Sequence, residues 1–276
     1  MTVIGAVCLP QLPPERFRDL VLTADEAGLD ELWLWEDCFL GGGVATMAAA
    51  LAGSERLRVG MGLFPVPLRN VAATAMEVAS LDRLFPGRAR IGVGHGVQDW
   101  MGQVGARVTS PMTLLREYVT ALRSLLGGER VTVDGRYVRL DGVALDWPPL
   151  DTVRILVGAS APRTLELAGS VGDGVILAGG TTPGQVRAAR DIVGDGQIVV
   201  YLHAATGPDA AERLEAERVR WGYPTLDDRA VAGDTAAITE QVRRWADAGA
   251  DTIVLQPTPD DPSFDDFVQL AAAVRI

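Results

Sequence analysis

Short apolar runs alternate with longer stretches of helical period along nearly the whole chain. Val3 to Leu9 is a continuous apolar run closed by Pro10 and predicts a buried strand. Phe17, Leu20, Val21 and Ala24 then recur at helical spacing, and Gly28 ends that helix. Glu31 to Trp35 reads as a second strand, and Ala45 to Ala52 as an alanine-rich helix. Leu57 to Phe64 is strand-like, Ala72 to Leu84 helical, and Arg90 to Val93 a fourth strand. Ser110-Pro111 has the form of an N-cap followed by proline at the first helical position, and Leu115, Val119, Leu122 and Leu126 form one face of the helix behind it.

The alternation breaks once. Arg130 to Leu140 reads as a hairpin with Asp134-Gly135 as its tight turn, inside an insertion at about residues 129–148. It then resumes with strands at Ile155 to Val157, Val175 to Ala178, Ile198 to Leu202 and Thr252 to Leu255. Helices follow from Pro162, from the capping box Thr182 to Gln185, from Ala210 to Trp221, behind Asp234, and from Phe264 to Val274. Eight strands, nearly all followed by helices, predict a (β/α)8 barrel rather than an open doubly wound sheet. A length of 276 residues fits one such domain over the whole chain.

Composition narrows the functions. The formal net charge is −11, which argues against nucleic acid and anionic membranes as partners. All 25 basic residues are arginine, so a Schiff-base lysine and a P-loop are excluded. Cys8 and Cys38 do not make a disulfide framework, and the chain shows neither a leader nor a membrane-length apolar run. A reduced, soluble, cytoplasmic protein is expected.

A barrel of this kind carries its site at the carboxyl ends of the strands. That rule selects Glu36, Asp37 and Cys38 after the second strand, Gly62 and Leu63 at the third, and Gly94, His95 and Gly96 at the fourth. It further selects Gly158, Ala159 and Ser160 after the fifth, Gly179 and Gly180 after the sixth, His203 after the seventh and Gln256 after the eighth. The glycines cluster where backbone approaches a flat or phosphorylated ligand. A dinucleotide fingerprint does not fit, because Gly92, Gly94 and Gly96 alternate and the next helix is expected only at Ser110.

Each candidate has a plainer reading. His95 serves equally well as a hydrogen-bonded structural histidine, and His203 more so. Cys38 has no adjacent histidine and reads as a buried thiol. Glu36 and Asp37 lack the companions of a metal site. Trp33, Trp35 and Trp100 suit packing. Arg163, in the first turn of a helix, is a solvated arginine or a phosphate ligand.

The segment RARIGVGHGVQDWMGQVGA, followed by SPMTLLREYVTALRSLL, resembles the bacterial luciferase-like oxidoreductases, closest to the branch that uses the deazaflavin coenzyme F420. RVGMGLFPVPLRN, ILVGASAPRTLELAGSVGDGVI and AGADTIVLQPT are similar as well, so the resemblance covers nearly the whole chain. It implies F420 at the strand ends, with FMN as the alternative, a small-molecule substrate, and a homodimer. Gly62-Leu63 matches a bulge behind the ring, with a cis peptide between them. Gly94, His95 and Gly96 match the cofactor loop, where Trp100 also falls, and Gly158 to Ala161 with Arg163 match the phosphate turn. Many members have Asp-His-Phe after the second strand, whereas this chain has Asp37-Cys38-Phe39. Asp37 and His95 are then the catalytic candidates, with Cys38, His203 and Gln256 in the substrate pocket. The resulting expectation is hydride transfer between F420 and a small organic substrate. The alternatives are an FMN-dependent two-component monooxygenase and a non-catalytic flavin-binding protein.

Overall fold

A computed structural model describes residues 2–276. The chain runs β1 (Val3–Val7), α1 (Pro14–Glu26), β2 (Glu31–Leu34), α2 (Gly43–Ala52), β3 (Arg58–Pro65), α3 (Val71–Leu84), β4 (Ala89–Gly94), α4 (Gln98–Gln103) and α5 (Pro111–Leu126). It continues through β5 (Val131–Asp134), β6 (Arg139–Val143), β7 (Ile155–Gly158), α6 (Pro162–Val171), β8 (Gly174–Leu177) and α7 (Pro183–Val193). The last elements are β9 (Gln197–Ala205), α8 (Ala210–Trp221), β10 (Ala230–Ala232), α9 (Thr235–Asp247), β11 (Thr252–Gln256) and α10 (Phe264–Ala273).

Eight parallel strands close into the expected barrel, in the order β1-β2-β3-β4-β7-β8-β9-β11, with β11 back on β1. Strands buried on both faces must be apolar along their length, which is why they read as continuous runs. One face packs against the helices. The other fills the barrel with Val7, Leu9, Trp33, Leu156, Ile176, Val199, Tyr201 and Val254. Two large rings and an isoleucine in that interior explain the alternating glycines. A Cβ on Gly60 would overlap the Trp33 indole, one on Gly62 the Tyr201 hydroxyl, and one on Gly92 Ile176. The strands that face these side chains therefore carry no side chain of their own.

The hairpin β5–β6 forms a separate antiparallel sheet outside the barrel, as expected. Its turn is longer than the sequence suggests. Asp134 pairs with Arg139, and Gly135 N–H donates to Val138 O at 2.9 Å, so Gly135 to Val138 make the turn. The cause lies in α5, whose Glu117 carboxylate accepts from the backbone of Arg136, Tyr137 and Val138 at 2.8–3.0 Å. Ser110 precedes α5 as expected, but its hydroxyl meets the Thr113 hydroxyl at 2.8 Å rather than a backbone N–H. The capping box at Thr182 and Gln185 forms in full.

Two elements lie where none was expected. The six-residue α4 starts directly after the glycine loop, so the expectation of no helix before Ser110 is corrected. It buries only Met101, too little to print a helical period. The short β10 pairs with His203 to Ala205, where β9 runs on beyond the barrel.

Candidate active site

The carboxyl ends of the strands surround a cleft of about 570 Å³. The turn after β2 contributes Trp35, Glu36 and Asp37, the β3 bulge Gly62 and Leu63, and the loop after β4 His95, Gly96 and Trp100. Gly158, Ala159 and Ser160 follow β7, and His203 and Gln256 come from β9 and β11. These include most of the residues selected from the sequence. Gly94, Ala161, Arg163 and Cys38 do not line the cleft.

The glycines at the cleft act differently from expectation. A Cβ on Gly158 would overlap Leu63 Cδ2, and one on Gly94 would stand 2.5 Å from the same atom. Both residues thus receive the Leu63 side chain rather than a ligand. Leu63 is the residue that reaches the cleft, seated between the ends of β4 and β7. The β3 register shifts between Met61 and Phe64 at this bulge, and the Gly62–Leu63 peptide is cis, as the resemblance implies. A second cis peptide joins Cys38 to Phe39.

Polar groups around the cleft are left without partners. The buried atoms Trp35 Nε1, Glu36 Oε2, His95 Nδ1 and His203 Nδ1 have none. Glu36 is otherwise anchored, since its Oε1 accepts from Gly43 N and Arg69 Nη1, each at 2.9 Å. Burial raises the pKa of Asp37, against a smaller lowering from Arg220. Burial alone lowers that of His95. His203 is lowered mainly by burial, with Glu217 opposing and Arg220 adding to the effect. Asp37 and His95, together with His203, are thus side chains of the cleft whose pKa values burial shifts toward the neutral form. Cys38 is half-buried, and burial, Glu36 and Asp37 push its thiol pKa up against a smaller lowering by a backbone hydrogen bond, which disfavours the thiolate.

Tyr223 was not legible from strand ends, because it lies in the loop after α8. Its hydroxyl donates to Gly179 O at 2.8 Å and stands 3.4 Å from His203 Nε2. Tyr201 was legible in principle. It lies two residues before His203 on one strand, hence on the same face. Its hydroxyl donates to Gly62 O at 3.3 Å, tying β9 to the bulge. Trp221 and Thr164 complete the walls.

Helix α6 begins beside this wall. Its N-cap is Ala161, which offers no side-chain oxygen, and Pro162 occupies the first turn. Pro162 has no N–H and the Thr164 N–H donates to Ala161 O at 2.9 Å, so within the first turn the Arg163 N–H is the one left for an anion among the described residues. Arg163 is exposed and makes no ion pair among the described residues.

This geometry can be set beside known proteins. Residues 3–221 match the luciferase-like monooxygenase family, and the chain belongs to that family of oxidoreductases. It is 31% identical to a 5,10-methylenetetrahydromethanopterin reductase of Methanolobus tindarius, over 63% of this chain and 53% of that protein. The chain thus spans about half the length of this relative. It is 26% identical to an F420-dependent glucose-6-phosphate dehydrogenase of Nocardia farcinica, over 96% and 95% of the two chains. The fold is shared with an F420-dependent secondary alcohol dehydrogenase solved with an F420–acetone adduct. That match has a TM-score of 0.84 and 21% identity, and covers 100% and 99% of the two chains.

Proposed function

We propose that this protein is an oxidoreductase that binds F420 at the carboxyl end of its barrel and acts on a small organic substrate. The observation that carries the reading is the apolar cleft, bounded by the Leu63 wedge on one side and the uncapped start of α6 on another. The volume of about 570 Å³ lies in the range of small-molecule sites. When bound, the deazaflavin accepts or gives a hydride. Leu63 would back its ring, and the α6 N-terminus with Ser160 and Arg163 would hold its phosphate. Asp37 and His95 would move the proton that accompanies hydride transfer, and the cleft walls exclude water. His203 and Gln256 would face the substrate. We take the whole chain to act as one domain, working as a cytoplasmic homodimer, which light scattering at micromolar concentration tests.

The monooxygenase description of the family favours a second reading, FMN with oxygen as co-substrate. Titration of the purified protein with F420 and FMN separates the two. Tighter F420 binding is expected; tighter FMN binding moves the assignment to the monooxygenase.

A further inference from the structure

The charged side chains on the cleft wall are Glu36 and Asp37, and no arginine lines it among the described residues. Glu36 is held by Arg69 and the Gly43 N–H. Asp37 has no such partner, and burial favours its neutral form. The arginines nearby are committed elsewhere. Arg220 pairs with Glu217 at 3.4 Å and covers the Trp221 ring, while Arg229 bonds Gly180 O and lies 5.3 Å from the Tyr223 ring centre. An anionic substrate would therefore meet a carboxyl and no cation. The exposed part of the mouth is apolar, with Val97 and Trp221 on the wall and Phe39 and Leu40 in the loop after Asp37.

One buried polar side chain on the wall has an unused pair of neutral groups. Gln256 is 5% exposed, and its amide makes no hydrogen bond among the described residues. Gly179 explains how it reaches the cleft. A Cβ there would lie 2.9 Å from both Gln256 Oε1 and His203 Nε2, so only a glycine leaves these groups room. The amide faces the cleft without a hydrogen bond to the described residues, and it carries one acceptor and two donors but no charge.

We infer that the substrate is an uncharged, largely apolar molecule with a hydroxyl or carbonyl oxygen, and that Gln256 binds that oxygen and sets the specificity. This rests on the oxidoreductase reading above. The start of α6, where an anion is favoured, is taken there by the cofactor phosphate. The substrate is thus of a different class from the sugar phosphate named for the Nocardia relative.

The test is calorimetric, on the full chain. F420 is titrated first, and FMN if F420 does not bind; failure of both overturns the functional reading and leaves the wall chemistry to be judged on the unloaded protein. The protein saturated with its cofactor is then titrated with 2-acetylnaphthalene, naphthalene-2-carboxylate and glucose 6-phosphate. The neutral ketone is expected to bind at least tenfold more tightly than either anion. Gln256→Leu should weaken the ketone about tenfold and leave binding of naphthalene itself unchanged. Equal binding of ketone and carboxylate by the unaltered protein overturns the inference, and needs no variant to fold. So does unchanged ketone affinity in Gln256→Leu.

Discussion

The two ends of the barrel treat their polar groups in opposite ways. At the amino end Glu31, Asp173, Asp251 and Asp25 are braced by arginines or backbone N–H groups, while Asp82, Asp151 and Asp195 make no ion pair among the described residues. Glu31, 2% exposed, accepts from Trp33 Nε1 at 3.0 Å and meets Arg58 and Arg90 at 3.5 and 3.4 Å. Asp173 joins Arg123 and the Ile155 N–H, and Asp251 joins Arg190 and the Ile198 N–H. Asp25 collects three successive backbone N–H groups, from Glu55 to Leu57. At the carboxyl end, among the described residues, Trp35, Glu36, His95 and His203 each keep a buried polar atom without a partner, and the Asp37 and Gln256 side chains open onto the cleft. A chain folds best when buried polar groups are satisfied. One end of this barrel obeys that rule as a brace, and the other departs from it where a ligand is to bind.

Substitutions at the two ends should therefore separate turnover from stability. Asp37→Asn removes an acid–base group and should lower kcat by 10²–10⁴-fold. Its melting temperature should hold or rise, a gain of less than about 2 kcal/mol, because a carboxyl that burial disfavours is gone. Glu31→Leu should do the reverse. It leaves Arg90 and the Trp33 N–H without their carboxylate, and Arg58 with Asp30 at 3.8 Å, at a cost of about 1–3 kcal/mol, while cofactor affinity stays near its original value. Urea unfolding and cofactor titration on the same two variants check both halves. A destabilised Asp37→Asn protein would break the contrast.

A subtler change sharpens it. Gly158→Ala places a methyl against Leu63 Cδ2, and Gly94 lies on the other side of the same side chain. Leucine ends in rotatable methyls, so the fold should lose only about 1 kcal/mol, the low end for overpacking. The displaced Leu63 has the cleft to move into, so cofactor affinity should fall about tenfold. Leu63→Ala in the same chain should restore part of it, and a double-mutant cycle by cofactor titration measures the coupling.

The strands and most helices were legible because parallel strands buried on both faces print unbroken apolar runs. His95, just past β4, and His203 and Gln256, toward the ends of β9 and β11, were legible because the barrel rule needs only the strand ends. The purpose of the glycines was not. Gly60, Gly92, Gly94 and Gly158 look like ligand clearance in one dimension, yet each clears a side chain distant in sequence: Trp33, Ile176 or Leu63. Tyr223 was hidden for the same reason, since only folding brings it 2.8 Å from Gly179 O. Helix α4 was missed because it has one buried residue and so no period.

Arg163 offers a smaller effect. It is exposed, so a phosphate contact there is screened by solvent. Arg163→Ala should weaken cofactor binding by about 1 kcal/mol, and the difference should shrink as salt rises from 0.05 to about 0.5 M. An affinity equal to that of the unaltered protein at low salt returns Arg163 to the surface.

The smallest effect concerns pH and the two histidines. Burial lowers the pKa of both His95 and His203 below the ordinary 6.5, and neither Nδ1 has a partner that would favour the charged ring. The unfolded chain therefore takes up protons at a pH where the folded chain does not. Stability contributed by the neutral rings is fully present above about pH 6.5 and is lost as pH falls through that value toward the folded pKa. Each histidine adds at most about 1.4 kcal/mol per pH unit to the slope. His203 is almost fully buried and His95 only partly, so His203→Gln should flatten the slope between pH 6.5 and 5 more than His95→Gln. Urea midpoints measured at half-unit steps decide the matter. A slope in this window that neither substitution changes would mean that the rings titrate alike in the folded and unfolded chain, and that the carboxyl end of the barrel is wetter than its walls suggest.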